Sequence, residues 1–206
     1  MLNAPEVRVL GALIEKELTT PDNYPLSLNA LATACNQSTN RHPVTHFDES
    51  EVADAAESLR DKGYVHRVDR GDSRVIKYRH VVYEALNLPR AAVSALAVLM
   101  LRGPQTAAEV RTRTGRLYDF SGIEEVEITL DALMTRTPAL AVRLPRQPGQ
   151  KEVRYVHLLG GEPLVEETSG TPAGPAATAP DDRIARLEQE VEELKRQFAE
   201  FRKQFE

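Results

Sequence analysis

The order helix, helix, helix, β-hairpin is written twice in this 206-residue chain, and that repeat limits its fold more than any other feature. In the first copy, Asn3 followed three residues later by Glu6 forms a capping-box start, and Val7, Leu10, Leu13, Ile14 and Leu18 give the helix one apolar face as far as Pro21. Ser27 is a good cap for a second helix, in which Leu28, Leu31, Ala32 and Cys35 fall at helical spacing until the polar run Asn36-Gln37-Ser38-Thr39-Asn40 breaks the pattern. Asp48 with Glu51 opens a third, whose stripe of Val52, Ala55, Ala56 and Leu59 ends at Gly63. Two β-rich runs follow, Tyr64 to Val68 and Val75 to Arg79, joined by a turn-rich loop. Three helices closed by such a hairpin make a winged helix.

After Pro89 the plan returns in shorter form. The spacing predicts helices over Val93 to Leu101, Gln105 to Thr114 with Thr106 near the cap, and Ser121 to Thr135, then strands Leu140 to Leu144 and Val153 to Leu159. The fold class is therefore α+β, mainly α: two tandem winged-helix domains, 1–80 and 81–161, plus a C-terminal coiled-coil helix. Within Ala91 to Leu101 apolar groups point in nearly every direction, so this helix is buried on more than one side, between the two units or in a dimer contact.

The remainder divides at Pro180. Residues 162–180 are a linker, and from Thr168 to Pro180 every residue is Thr, Ser, Gly, Pro or Ala, the composition of a disordered tether reaching roughly 20 Å. In 181–206, Ile184, Leu187, Val191, Leu194, Phe198, Phe201 and Phe205 alternate at three and four residues, which is a heptad seam. β-branched residues at a with Leu at d point to a parallel homodimer, while the three Phe leave open docking on the protein's own domains.

The net charge of −5 is unevenly placed: 10 basic and 12 acidic residues in 1–80, 10 and 8 in 81–161, 6 and 11 thereafter. Such a balance gives no global nucleic-acid footprint. The single cysteine, Cys35, excludes an internal disulfide and sits on an inward helix face, fitting a reducing compartment. The longest uncharged apolar run, Ala91 to Leu101, is too short to span a bilayer, so a soluble, cytoplasmic protein is expected, with no membrane partner.

Long contiguous strings also resemble a known family. They are Ile14-Glu15-Lys16-Glu17 with Thr19-Thr20-Pro21-Asp22, Tyr24 to Leu31, Ala34-Cys35-Asn36-Gln37 leading to Asn40-Arg41, and Leu101-Arg102-Gly103-Pro104-Gln105-Thr106 followed by Glu109-Val110-Arg111. In these the chain is similar to the YceH-like family of bacterial proteins of unknown function. The resemblance implies a tandem winged helix and brings no activity.

Function must then come from the residues. A winged helix commonly sets its third helix in the DNA major groove. Here that helix exposes Glu51, Asp54 and Asp61, and its counterpart Glu124, Glu125, Glu127 and Asp131, charges that phosphates repel. The first hairpin, with Arg67, Arg70, Arg74, Lys77 and Arg79 against Asp69 and Asp72, is basic. It is either a contact for double-stranded DNA or a charged edge that resists aggregation. Asn36, Asn40 and Arg41 brace the corner between helices by side-chain to backbone hydrogen bonds, and Arg41 is the residue there most suited to touch a partner.

Cys35, His42 and His46 have short metal-like spacing but lack a fourth ligand, so no metal is assigned. No nucleophile beside a base, carboxylate pair or phosphate-binding glycine loop stands out, and Glu15-Lys16-Glu17 fits the solvated side of a helix. The expectation is a non-enzymatic binding protein without cofactor, a transcriptional regulator using its basic wings. The alternative is a protein-protein scaffold using the acidic third helices and the Phe-rich tail.

Overall fold

A computed structural model describes residues 1–69, 75–146 and 152–161. The chain divides into two compact units, Met1–Leu164 and Val165–Glu206, and the described residues all belong to the first. The linker and the heptad seam lie outside the described residues, as do Arg70 and Arg74.

The first unit is α+β, with helices predominating and the strands antiparallel. Helix α1 (Ala4–Thr19) starts from a complete capping box, in which the Asn3 amide donates to Glu6 and the Glu6 amide to Asn3 Oδ1. Helix α2 (Leu28–Cys35) is capped by Ser27 and α3 (Glu49–Asp61) by a second box between Asp48 and Glu51. Gly63, at φ +77°, takes the left-handed conformation that lets the chain turn from α3 into β2 (Val65–Val68). This strand pairs with β3 (Lys77–His80), which also pairs with a two-residue strand, β1 (Leu26–Ser27), in the order β1-β3-β2.

A short helix, α4 (Val82–Leu86), then leads to α5 (Arg90–Arg102), α6 (Ala107–Thr114) and α7 (Ile123–Met134). The hairpin of β4 (Ala141–Arg143) and β5 (Tyr155–His157) follows. Thr106 and Glu109 form the capping box of α6. Gln105, just before α6, bridges to Tyr155 as Leu26, just before α2, pairs with Tyr78. Each half thus closes its hairpin with residues at the entrance of its second helix.

Several boundaries differ from expectation for local reasons. The β1 strand, the Gln105 bridge and α4 are too short to leave a period in the sequence. Pro89 lets α5 begin at Arg90, a turn earlier than expected, because proline is tolerated at a helix start. Ser121 lies outside α7, its amide and hydroxyl both bonded to Glu125, which fastens the entry to that helix.

The buried helix sits between the halves. From Ala92 to Leu101 every residue of α5 is buried, with Leu96 and Leu99 fully so, and the helix packs on α1 on one side and on α6, α7 and β5 on the other. A Cβ on Gly11 of α1 would lie 3.0 Å from the Leu101 side chain, so the absence of a side chain there lets the two helices approach closely. The Leu2 amide donates to the Leu159 carbonyl at 2.8 Å, joining the start of the chain to the end of the second half. One core therefore serves both halves. Among the described residues no helix is long and apolar enough to cross a membrane.

Candidate interface and the polar corner

Strand β2 lies at the sheet edge and exposes His66 and Arg67, and β3 exposes Arg79 and half-exposes Lys77. Arg67 approaches Glu57 of α3 at 3.6 Å, but that carboxylate is shared with Arg60 at 2.5 Å and with the Tyr78 hydroxyl at 3.3 Å. The hairpin therefore keeps a surplus of positive charge. The second hairpin matches it, with Arg143 and Arg146 both exposed.

The outward faces of the third helices are of opposite sign. Glu51, Asp54 and Asp61 of α3 are exposed, as are Glu124, Glu127 and Asp131 of α7. On α7 these acids surround two exposed apolar side chains, Ile123 at 45% and Ile128 at 63%.

Arg41 braces the corner after α2, as its place in the loop suggests. Its side chain is fully buried, and its guanidinium donates to the Ala34 and Asn40 carbonyls, to Gln37 Oε1, and to both Glu15 oxygens at 3.1 and 2.6 Å. The expectation that it reaches a partner is corrected: its donors are consumed in fixing the loop after α2. Asn36 does brace this corner, giving its side-chain amide to the Phe47 carbonyl and accepting from the Phe47 amide. Asn40, at φ 61°, accepts from Arg102 at the end of α5, and the His42 amide donates to the Leu101 carbonyl. The loop of the first half thereby holds the central helix.

Glu15 and Lys16 are half-buried members of this corner rather than a solvated helix side. Burial raises the Glu15 pKa, but hydrogen bonds from Arg41 and the charges of Arg41 and Lys16 outweigh it and hold the carboxyl below its ordinary range. Deeper in, Arg8 donates to the Cys35 and Pro43 carbonyls and to Thr45 Oγ1, with no acid among the described residues in contact. Burial, and then the Arg41 charge, pull its pKa down. Cys35 is buried and burial pushes its thiol up to about 12, so it is an inert core group. His42 and His46 are exposed, and among the described residues no group of three or more His, Cys, Asp or Glu is arranged to hold a metal.

A second polar knot lies at the other end of α1. Buried His80 contacts Glu17 Oε2 through Nε2 at 2.9 Å, while Nδ1 accepts from the Val82 amide at 3.3 Å. Those bonds place the ring proton on Nε2 and leave no lone pair for proton transfer. The Tyr24 hydroxyl accepts from the His80 amide at 2.7 Å, and burial together with Glu17 pushes the Tyr83 hydroxyl up to about 12. Chemically the cluster is a latch tying α1 to β3 and α4.

Sequence reasoning did not single out Arg8 or His80. The one available signal is that Arg8 lies between Val7 and Val9 on a helix whose middle is almost wholly apolar.

The chain is α+β with two basic hairpins on one shared core. It belongs to the bacterial family described as "Protein of unknown function, DUF480", which matches residues 2–150. Full-length relatives share the name "UPF0502 protein". That of Solibacter usitatus is 49% identical over 205 residues, covering 100% of this chain and 98% of the relative. That of Geotalea uraniireducens is 50% identical over 216 residues, covering 100% and 98%, and "UPF0502 protein GSU0233" of Geobacter sulfurreducens is 49% identical over 218 residues, covering 100% and 99%.

Proposed function

We propose that this is a cytoplasmic, non-enzymatic tandem winged-helix protein, with units 1–80 and 81–161, that binds double-stranded DNA through its basic hairpins in the setting of transcriptional regulation. The supporting observation is the separation of charge: Arg67, Lys77 and Arg79 stand on the first hairpin while the acids of α3 face outward from the helix. Binding neutralises phosphates, so the basic hairpin is the favoured contact and the acidic helix is held away from the groove. Two copies paired through the heptad of residues 181–206 would present two such hairpins as one bivalent surface.

Fluorescence anisotropy with random-sequence duplex at two salt concentrations tests this reading. Affinity should fall as salt rises, and replacing Arg70, Arg74 and Lys77 by Ala should abolish binding and flatten the salt slope by about three units at most. A wild-type protein with no salt-sensitive binding, or a triple variant that binds as well, overturns it.

One observation favours a second reading, a protein-interaction scaffold. Ile123 and Ile128 are exposed among the exposed acids of α7, a face suited to a basic partner with apolar anchors. A folded wild-type protein with no salt-sensitive binding to duplex would transfer the conclusion to this reading.

A further inference from the structure

We infer, on the DNA-binding reading above, that one face of the first hairpin is laid along a single phosphate backbone of the duplex. It is the face turned away from α3, carrying His66, Lys77 and Arg79, and Arg67 takes no part in the contact. The strand register separates these residues. Pairing sets Val65 opposite His80, His66 opposite Arg79, Arg67 opposite Tyr78 and Val68 opposite Lys77. Residues directly opposite each other in an antiparallel ladder share a face, and successive residues along a strand take opposite faces. The cations of the hairpin are therefore divided between its two sides.

One side is turned to the core. Val65, Tyr78 and His80 are buried on it, and so is Leu26, which pairs with Tyr78 from β1. Helix α3 lies against this side: the Tyr78 hydroxyl donates to Glu57 Oε1 at 3.3 Å, and Arg67 approaches the same oxygen at 3.6 Å. Arg67 thus stands at the rim of the inner side with its charge set against an acid. Glu17 of α1 also belongs to the inner side, where it meets His80 at 2.9 Å.

The outer side carries His66 and Arg79, both exposed, with Val68 and Lys77 half-exposed beside them. None of these four is acidic, and the pattern suits a polyanion that runs along the strand. Lys77 and Arg79 stand roughly 7 Å apart along β3, and each has its cross-strand neighbour about 5 Å away. Two cations in line on one strand can each meet a phosphate of one DNA strand, and the imidazole opposite Arg79 can donate to a phosphate oxygen. The frame is fixed, because β3 is the central strand of its sheet, held by β2 on one side and on the other by β1, whose Ser27 lies opposite Lys77. Contacts to phosphates position a protein without reading bases, so the binding this face supports is independent of sequence.

Fluorescence anisotropy of the full-length protein with two duplexes of unrelated sequence, each titrated at two salt concentrations, tests this assignment. Lys77→Ala and Arg79→Ala should each flatten the salt slope by about one unit, equally for both duplexes. His66→Ala should weaken binding by about fivefold, the loss of one hydrogen bond. Arg67→Ala should leave the slope as it is in the wild type. Arg79→Lys, which keeps the charge, should restore the slope that Arg79→Ala loses, separating an effect of charge from a loosening of the strand. A wild type with no salt-sensitive binding removes the DNA-binding reading, and this assignment with it. Salt-sensitive wild-type binding that Arg67→Ala weakens as much as Arg79→Ala, or that Lys77→Ala and Arg79→Ala both leave unchanged, overturns the choice of face alone.

Discussion

Arg41 and Glu15 form a two-pronged ion pair, each terminal nitrogen of the guanidinium on a separate carboxylate oxygen, with the arginine side chain fully buried and the glutamate 12% exposed. Breaking one partner of such a pair leaves the other charge desolvated and alone. Arg41→Ala should therefore lower stability by about 3 kcal/mol, read from urea unfolding. Because the Glu15 pKa is depressed in the fold, its contribution is fully present above the ordinary carboxylate range and is lost as pH falls through the folded value. Glu15→Gln should start less stable at neutral pH and show a shallower loss on acidification; parallel curves for the two proteins would refute this assignment.

Gly11 faces Leu101 and Met100 at the crossing of α1 and α5, with 3.0 Å available to a Cβ. Gly11→Val should cost about 2 kcal/mol by overpacking. Because α5 belongs to both halves, hydrogen exchange should report the loss in α3 and in α7 alike. Destabilisation confined to the first half would mean that the two halves unfold separately.

Neutralising the outward face of α3 by Glu51→Gln with Asp54→Asn removes repulsion without touching the buried stripe of Val52, Ala55, Ala56 and Leu59. Since Glu51 also completes the capping box, a loss of up to about 1 kcal/mol in stability accompanies the change. Non-specific duplex binding should nevertheless strengthen, most at low salt. Weaker binding by a folded double variant would put α3 at the contact and contradict the hairpin assignment.

Ending the chain at Ser169 removes the heptad from Ile184 to Phe205. The truncated protein should have the mass of one copy by light scattering, and bind duplex more weakly by whatever advantage two linked hairpins provide. An unchanged dimer mass would move the contact to the folded unit.

How far the sequence could be read depended on the range of each interaction. The caps at Asn3, Ser27, Asp48 and Thr106 are bonds across three residues, so they were visible in the chain itself. The burial of α5 on two sides was equally legible, since a helix apolar all round has no face for water. Arg41 was read at its corner but not at its depth, because sequence displays a charge and not its burial, and its acid lies 26 residues away. His80 was silent for the same reason, its partner Glu17 being 63 residues distant.

The position of α5 also bears on the order in which the chain can fold. Helix α1 is complete by residue 19, yet the helix that covers much of it ends at residue 102, and the partner of the Leu2 amide is residue 159. As the chain is synthesised, the first hairpin can form early, but α1 must keep an uncovered apolar face until α5, ending at residue 102 of 206, has been made. Contacts of such long sequence separation are entropically slow to close. The repeat that makes the architecture look like two independent parts is therefore joined by the one helix that prevents the first part from finishing alone.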